Sequence, residues 1–189
     1  MATQSTMFPA AAGDEAKWNF LDDTYWIVPT PYLPAVVLAN LGTPHLVPAV
    51  DQTVWHITGC RDGYFWGVTA VLSFTAGDDA PTRGPRSKPT PLTLIGTVTP
   101  EGTVQITFVP SSSRSSQPTV GVGRIVEHEG QLTFEMQMST MASNSRLLAH
   151  WAYMMQTREG EPSWENLPGV GMSVEKMLAG IDPPENEDD

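Results

Sequence analysis

Apolar and polar residues alternate along most of this chain, in runs of the length of β-strands separated by glycine-containing turns. The clearest runs are Val54 to Cys60 and Tyr64 to Phe74, Leu92 to Thr99 and Thr103 to Val109, Thr119 to Glu127 and Gln131 to Ser139. Leu147 to Gln156 follows them, and Thr24 to Pro29 and Ala35 to Leu41 precede them. The pattern predicts an all-β fold: a single antiparallel up-and-down β-barrel of about eight or nine strands, since closure removes exposed edges. One short helix is expected near the C-terminus, where Ser173 can cap Val174 to Ala179 and Gly180 can end it. A helix this short persists only when docked on the barrel. The expected domain spans residues 14–181, between a flexible N-terminus (1–13) and an acidic, disordered tail (182–189).

Turn chemistry sets the register, and register decides which side chains face inward. At Pro100-Glu101-Gly102 a three-residue loop pairs Thr99 with Thr103. Val98 then opposes Val104, Gly96 opposes Ile106 and Leu94 opposes Phe108, all on one face. The same turn at His128-Glu129-Gly130 pairs Glu127 with Gln131 and places Val120, Val122, Arg124 and Val126 inside with Phe134, Met136 and Met138. A two-residue turn at Glu129-Gly130 is the rival; it sets Arg124 against Glu135 outside but exposes three valines, so the inward Arg124 is preferred. Two registers also stay open at Arg61-Asp62-Gly63, and with them the side of the wall that His56 occupies.

An inward arginine keeps its proton and needs a partner, so Arg124 is the expected anchor for a ligand. Around it, Phe108, Phe134, Met136 and Met138, with Trp66 and Trp151, are expected to line an adaptable apolar lumen. His150, Tyr64 and Tyr153 are the side chains suited to moving a proton or stabilising charge. Alternation puts His150 on the opposite face from Trp151 and Tyr153, so only one of those sets can face inward.

Composition narrows the function classes. The net charge is −11, and five acids crowd into the last eight residues, leaving about −6 on the body of the chain. That balance argues against phosphate-backbone binding. The basic cluster of Arg83, Arg86 and Lys88 lies in a Pro-rich stretch and reads as solvated surface. Cys60 is the only cysteine, which excludes an intramolecular disulfide and a thiolate metal site. His45, His56, His128 and His150 lack metal-ligand spacing, and no G-x-S-x-G elbow is present. No metal and no cofactor are therefore expected. Met1 to Gly13 lacks a basic segment leading into an apolar one, and no run has the length of a membrane span, so the cytoplasm is the expected compartment. The partner expected is a small-molecule ligand or substrate rather than nucleic acid, with a homodimer left open.

With Trp26 on the first strand, short local hairpins and an arginine on an apolar face, residues 24 to 156 resemble the calycins, the lipocalin-like and fatty-acid-binding-like barrels. Thr24 stands where the lipocalin G-x-W signature has glycine. The resemblance implies an enclosed ligand, with Arg124 matching the interior arginines that hold ligand carboxylates in fatty-acid-binding-like relatives. The expected function is binding of a small, largely apolar organic molecule with an anionic or carbonyl group. A cofactor-independent isomerase, cyclase or lyase of secondary metabolism in the same cavity is the alternative, and a structural or oligomer-forming barrel the third.

Overall fold

Nine strands and three short helical segments make up the computed structural model, which describes residues 15–40, 42–75, 88–110, 118–143, 146–179 and 181. The strands are β1 (Thr24–Ile27), β2 (Tyr32–Ala39), β3 (His45–Arg61), β4 (Tyr64–Thr75), β5 (Thr90–Val98), β6 (Thr103–Pro110), β7 (Thr119–His128), β8 (Gln131–Ser143) and β9 (Arg146–Thr157). A 3-10 helix, Glu15–Leu21, precedes them, and α1 (Pro162–Glu165) and α2 (Val174–Leu178) follow. The expected ends 1–13 and 182–189, together with Arg83, Arg86 and Gly180, lie outside the described residues. Among the described residues no helix is long and apolar enough to cross a membrane.

Every strand pairs antiparallel with its neighbours, and the circuit closes where β3 meets β4. β1 and β2 share one position in the wall, each bridging part of β9 to part of β3, so nine strands build an eight-stranded barrel. Gln52 holds that broken position together. Fully buried, it donates from Nε2 to the carbonyls of Val28 (3.0 Å) and Pro168 (2.9 Å), and its Oε1 accepts from Val28 N–H (3.2 Å). The backbone N–H of Asp51 donates to Pro31 O at 2.9 Å beside it.

One end of the barrel is closed by tight turns. Arg61 pairs with Tyr64 and His128 with Gln131, and both central residues of each turn have positive φ: Asp62 at 53°, Gly63 at 77°, Glu129 at 52° and Gly130 at 80°. These are the values of the I′ hairpin, whose twist matches the strands it joins. The third turn follows the predicted register, with Val98 opposite Val104, Gly96 opposite Ile106 and Leu94 opposite Phe108. The 3-10 helix plugs this end. Trp18 and Leu21 are buried there, and Trp18 Nε1 donates to Thr99 O at 2.8 Å.

The His128-Glu129-Gly130 turn corrects the sequence reading. Glu127 pairs with Leu132 rather than Gln131, which inverts the expected face of β7. Gly121, Gly123 and Ile125 face inward, while Val120 and Val122 are exposed. The cause lies on the next strand. A Cβ on Gly123 would sit 2.0 Å from the Glu135 carbonyl oxygen and 2.7 Å from Met136 Sδ, and one on Gly121 would sit 2.6 Å from Met138 Sδ. The methionines of β8 occupy the space that the glycines leave, so a strand that looks empty inside is packed.

Arg124 accordingly points out, against the expectation of a lumen anchor. It donates to Glu135 Oε2 from Nε (3.2 Å) and Nη2 (3.0 Å), with 68% of its side chain exposed. An exposed pair of this kind contributes about 0.2–1 kcal/mol. Arg124→Met is therefore expected to shift thermal stability by no more than about 2–4 °C, which a calorimetric scan beside the parent protein checks.

β3 and β4 combine the two registers open to them, one on each side of a bulge. The two-residue turn holds as far as Gly59 opposite Trp66, after which a bulge shifts the pairing to Ile57 opposite Gly67. The extra residue turns Trp55 and Ile57 inward together with Phe65, while His56 and Trp66 face out. Outside the wall, Ile27, Val54, Ala70 and Leu72 are covered by Trp164, Leu167, Val174 and Met177 of the C-terminal segment. As predicted, Ser173 caps α2, its side chain accepting from Lys176 N–H at 3.2 Å, and the helix docks on the barrel.

Candidate functional site

The lumen has a solid half and a hollow half. Toward the closed end Trp26, Ile57, Phe65, Ile106 and Phe134 are fully buried and interlocked, with Phe134 edge-on to Trp26 at 4.6 Å. Toward the other end a cavity of about 230 Å³ opens. Strands β4 and β6 end there, at Thr75 and Pro110, and β5 and β7 begin there, at Thr90 and Thr119. Ligand pockets typically span about 300–1,000 Å³, so this one suits a molecule smaller than most drugs.

The cavity's inner surface is apolar, formed by Trp55, Phe108, Met138 and Met154 with Leu33 and Leu92 beside them. Its polar residues are Asp51, Thr53, Thr119, Thr140, Arg146 and His150. Four strands supply them, and the pleat selects them. Asp51 and Thr53 alternate with Gln52 on β3 and lie on the same face as Trp55, while Arg146 and His150 lie on the same face of β9 as Ala152 and Met154.

Asp51 and His150 form the chemical centre. Their side chains are only 12% and 11% exposed, and His150 Nε2 lies 3.6 Å from Asp51 Oδ2. The other Asp51 oxygen, Oδ1, accepts from Thr53 Oγ1 at 2.9 Å. On the far side of the imidazole, Nδ1 lies 2.9 Å from the Trp151 carbonyl oxygen. A carbonyl only accepts, so Nδ1 carries a hydrogen and Nε2 faces the carboxyl group. Burial pushes the Asp51 carboxyl above the usual carboxylate range, while the charge of His150 and the Thr53 hydroxyl act in the opposite direction. The pair is an acid and a base in contact, held in a largely apolar cavity.

Of the side chains singled out from sequence, His150, Phe108 and Met138 line this cavity, while Phe134 and Met136 are buried in the solid half. Tyr64 (61% exposed), Trp66 (43%), Trp151 (51%) and Tyr153 (47%) lie on the outer wall, as does Arg124, and none of them borders the cavity. Tyr64 and Tyr153 are therefore removed from the acid–base candidates by strand parity alone. His56 lies outside as well, 3.1 Å from Asp23 Oδ1 and stacked on Tyr25 at 4.0 Å. Cys60 donates to Trp18 O at 3.2 Å, and burial with nearby Asp22 pushes its thiol up to about 11, which makes it a poor nucleophile near neutral pH.

Asp51, Thr53 and Arg146 escaped the sequence reading. Asp51 and Thr53 precede Val54, the first residue of the predicted strand, yet β3 starts nine residues earlier, at His45. Extending the alternation of Trp55 backwards through Thr53 would have placed Asp51 on the inner face. Arg146 stands just before the last predicted strand and is the first residue of β9.

No family model, curated protein or solved structure matches the chain.

Proposed function

We propose that this protein binds a small, largely apolar organic molecule with an anionic or carbonyl group in the hollow half of the barrel, in the manner of calycins. The observation that carries this reading is the placement of Asp51, His150 and Arg146 on the lumen face of an otherwise apolar, partly empty barrel. Burying Asp51 costs more than the attraction of His150 returns, and a barrel built only for stability has no use for that cost beside a cavity. The apolar side chains would enclose the ligand body, and the polar group would meet the imidazole, the guanidinium and the threonine hydroxyls. Arg146 takes over the anchoring role that the sequence suggested for Arg124.

Benzoate and acetophenone match the cavity in size and carry the two polar groups proposed. Saturable binding of at least one of them is expected, read by calorimetry and by quenching of tryptophan emission, since Trp55 lines the site. Leu92→Trp should fill the cavity from its wall and abolish that binding while near-ultraviolet circular dichroism stays native. Absence of saturable binding to the parent protein, or equal binding by the filled variant, overturns the reading.

A further inference from the structure

Holding a carbonyl or a carboxylate requires hydrogen-bond donors, which Thr119, Thr140 and Arg146 can supply. Asp51 and His150 go further, because together they can exchange protons with whatever lies beside them. We propose that this pair is a general acid–base couple that enolises a small carbonyl compound held in the lumen, making the barrel a cofactor-independent isomerase of enolisable ketones or aldehydes. This rests on the ligand-binding reading above and adds a reaction to it.

The geometry assigns the roles. With Nδ1 committed to the Trp151 carbonyl, the proton that can move on His150 is the one on Nε2, which faces Asp51 Oδ2 across 3.6 Å. That separation is longer than a direct hydrogen bond, and both side chains line the cavity. In the carboxylate–imidazolium form, Asp51 takes a proton from the carbon next to the substrate carbonyl. The C–H electron pair becomes the C=C bond of the enol, and the carbonyl oxygen takes the Nε2 proton of His150. The pair ends as carboxylic acid and neutral imidazole, so the protons on protein and substrate together are unchanged. As Nε2 of His150 takes back the enol O–H proton and the C=O bond re-forms, return of the Asp51 proton to the same carbon restores the starting compound, and return to a second carbon conjugated with the enol gives the isomer. Nothing is oxidised or reduced, and no metal or co-reactant is required.

Two surroundings favour this chemistry. Burial makes Asp51 a stronger base than a solvated carboxylate. The apolar side of the cavity, with Trp55, Phe108 and Met154, keeps bulk water from competing for the proton. Among the described residues that line the cavity, the hydroxyls belong to threonines.

The test uses the full chain in deuterated buffer with acetophenone, whose methyl protons exchange only through the enol. Proton magnetic resonance reads deuterium incorporation, and tryptophan quenching reads binding in the same samples. Incorporation at least tenfold above buffer is expected for the parent protein, falling to the buffer rate in Asp51→Asn while acetophenone still binds. His150→Gln should slow exchange as well, and it supplies the same comparison should Asp51→Asn fail to fold. Equal exchange by the parent and either folded variant, with binding intact, overturns the acid–base role and leaves the ligand-binding reading standing. Failure of the parent protein to bind acetophenone overturns the acid–base role, and failure to bind benzoate as well overturns the ligand-binding reading with it.

Discussion

Phe134→Ala is expected to lower stability by about 3–5 kcal/mol, the range for removing a large aromatic ring from a packed core. Phe134 is fully buried at the centre of the solid half of the lumen. Its ring is edge-on to Trp26 at 4.6 Å, lies 5.4 Å from Trp55 and 6.4 Å from Phe65. These partners come from three strands, β1, β3 and β4, across the barrel from β8, so the ring ties opposite walls together. Backbone ladders hold each wall in place, which limits how far it can collapse into the vacated space. For a domain of this size each kcal/mol corresponds to about 2–4 °C in Tm, so melting should fall by roughly 6–20 °C. A calorimetric scan with a loss below about 3 °C would show that this end of the barrel is not the packed keystone described above.

Asp51→Asn should have the opposite sign, raising stability at neutral pH. Burial raises the Asp51 carboxyl above its ordinary value of 3.8, so the folded protein holds this proton more tightly than the unfolded chain does. The folded state is then favoured below the unfolded value and loses that advantage as pH climbs through the folded one. Above both, the ionised carboxylate carries its full desolvation cost, and every tenfold weakening of the acid corresponds to about 1.4 kcal/mol. Asparagine keeps an oxygen to accept from Thr53 but does not titrate. The difference in Tm between Asp51→Asn and the parent protein should be smallest near pH 4 and widen in favour of the variant toward pH 8. A variant less stable at pH 8 would mean that the attraction of His150 outweighs the cost of burial. Together with loss of proton exchange, a stabilised Asp51→Asn is the pattern of a group kept for function at a cost in stability.

Local chemistry determined much of this fold. The glycine turns, the alternation of each strand and the Ser173 cap act within a few residues, so the antiparallel barrel, its nine strand positions and the docked C-terminal helix could be read before any contact was known. The hairpin at Pro100-Glu101-Gly102 was legible in full because its turn sets a register that brings Leu94, Val98, Val104, Ile106 and Phe108 onto one face. His150 was recognised as a candidate for proton transfer, but its side of the wall depended on which neighbours filled the interior.

Tertiary structure decided the rest by volume. In β7 the sequence offered valines on one face and glycines on the other, and hydrophobicity alone chose the valines for the core. Met136 and Met138 fill the glycine side, so Arg124 turns outward to Glu135. In β9 the bulky Trp151 and Tyr153 looked like lumen residues, yet the lumen already holds Trp55, Phe108 and Phe134, and only Ala152, Met154 and His150 fit beside them. A bulge near Gly59, invisible to strict alternation, puts Trp55 inside and Trp66 outside. Asp51 and His150 lie 99 residues apart in sequence and meet only when β3 and β9 close around the same cavity. Sequence by itself determined that a barrel would form and where its chain would turn. Closing that barrel decided which side chains it would enclose, because a fixed interior volume admits one packing of the walls and not its mirror.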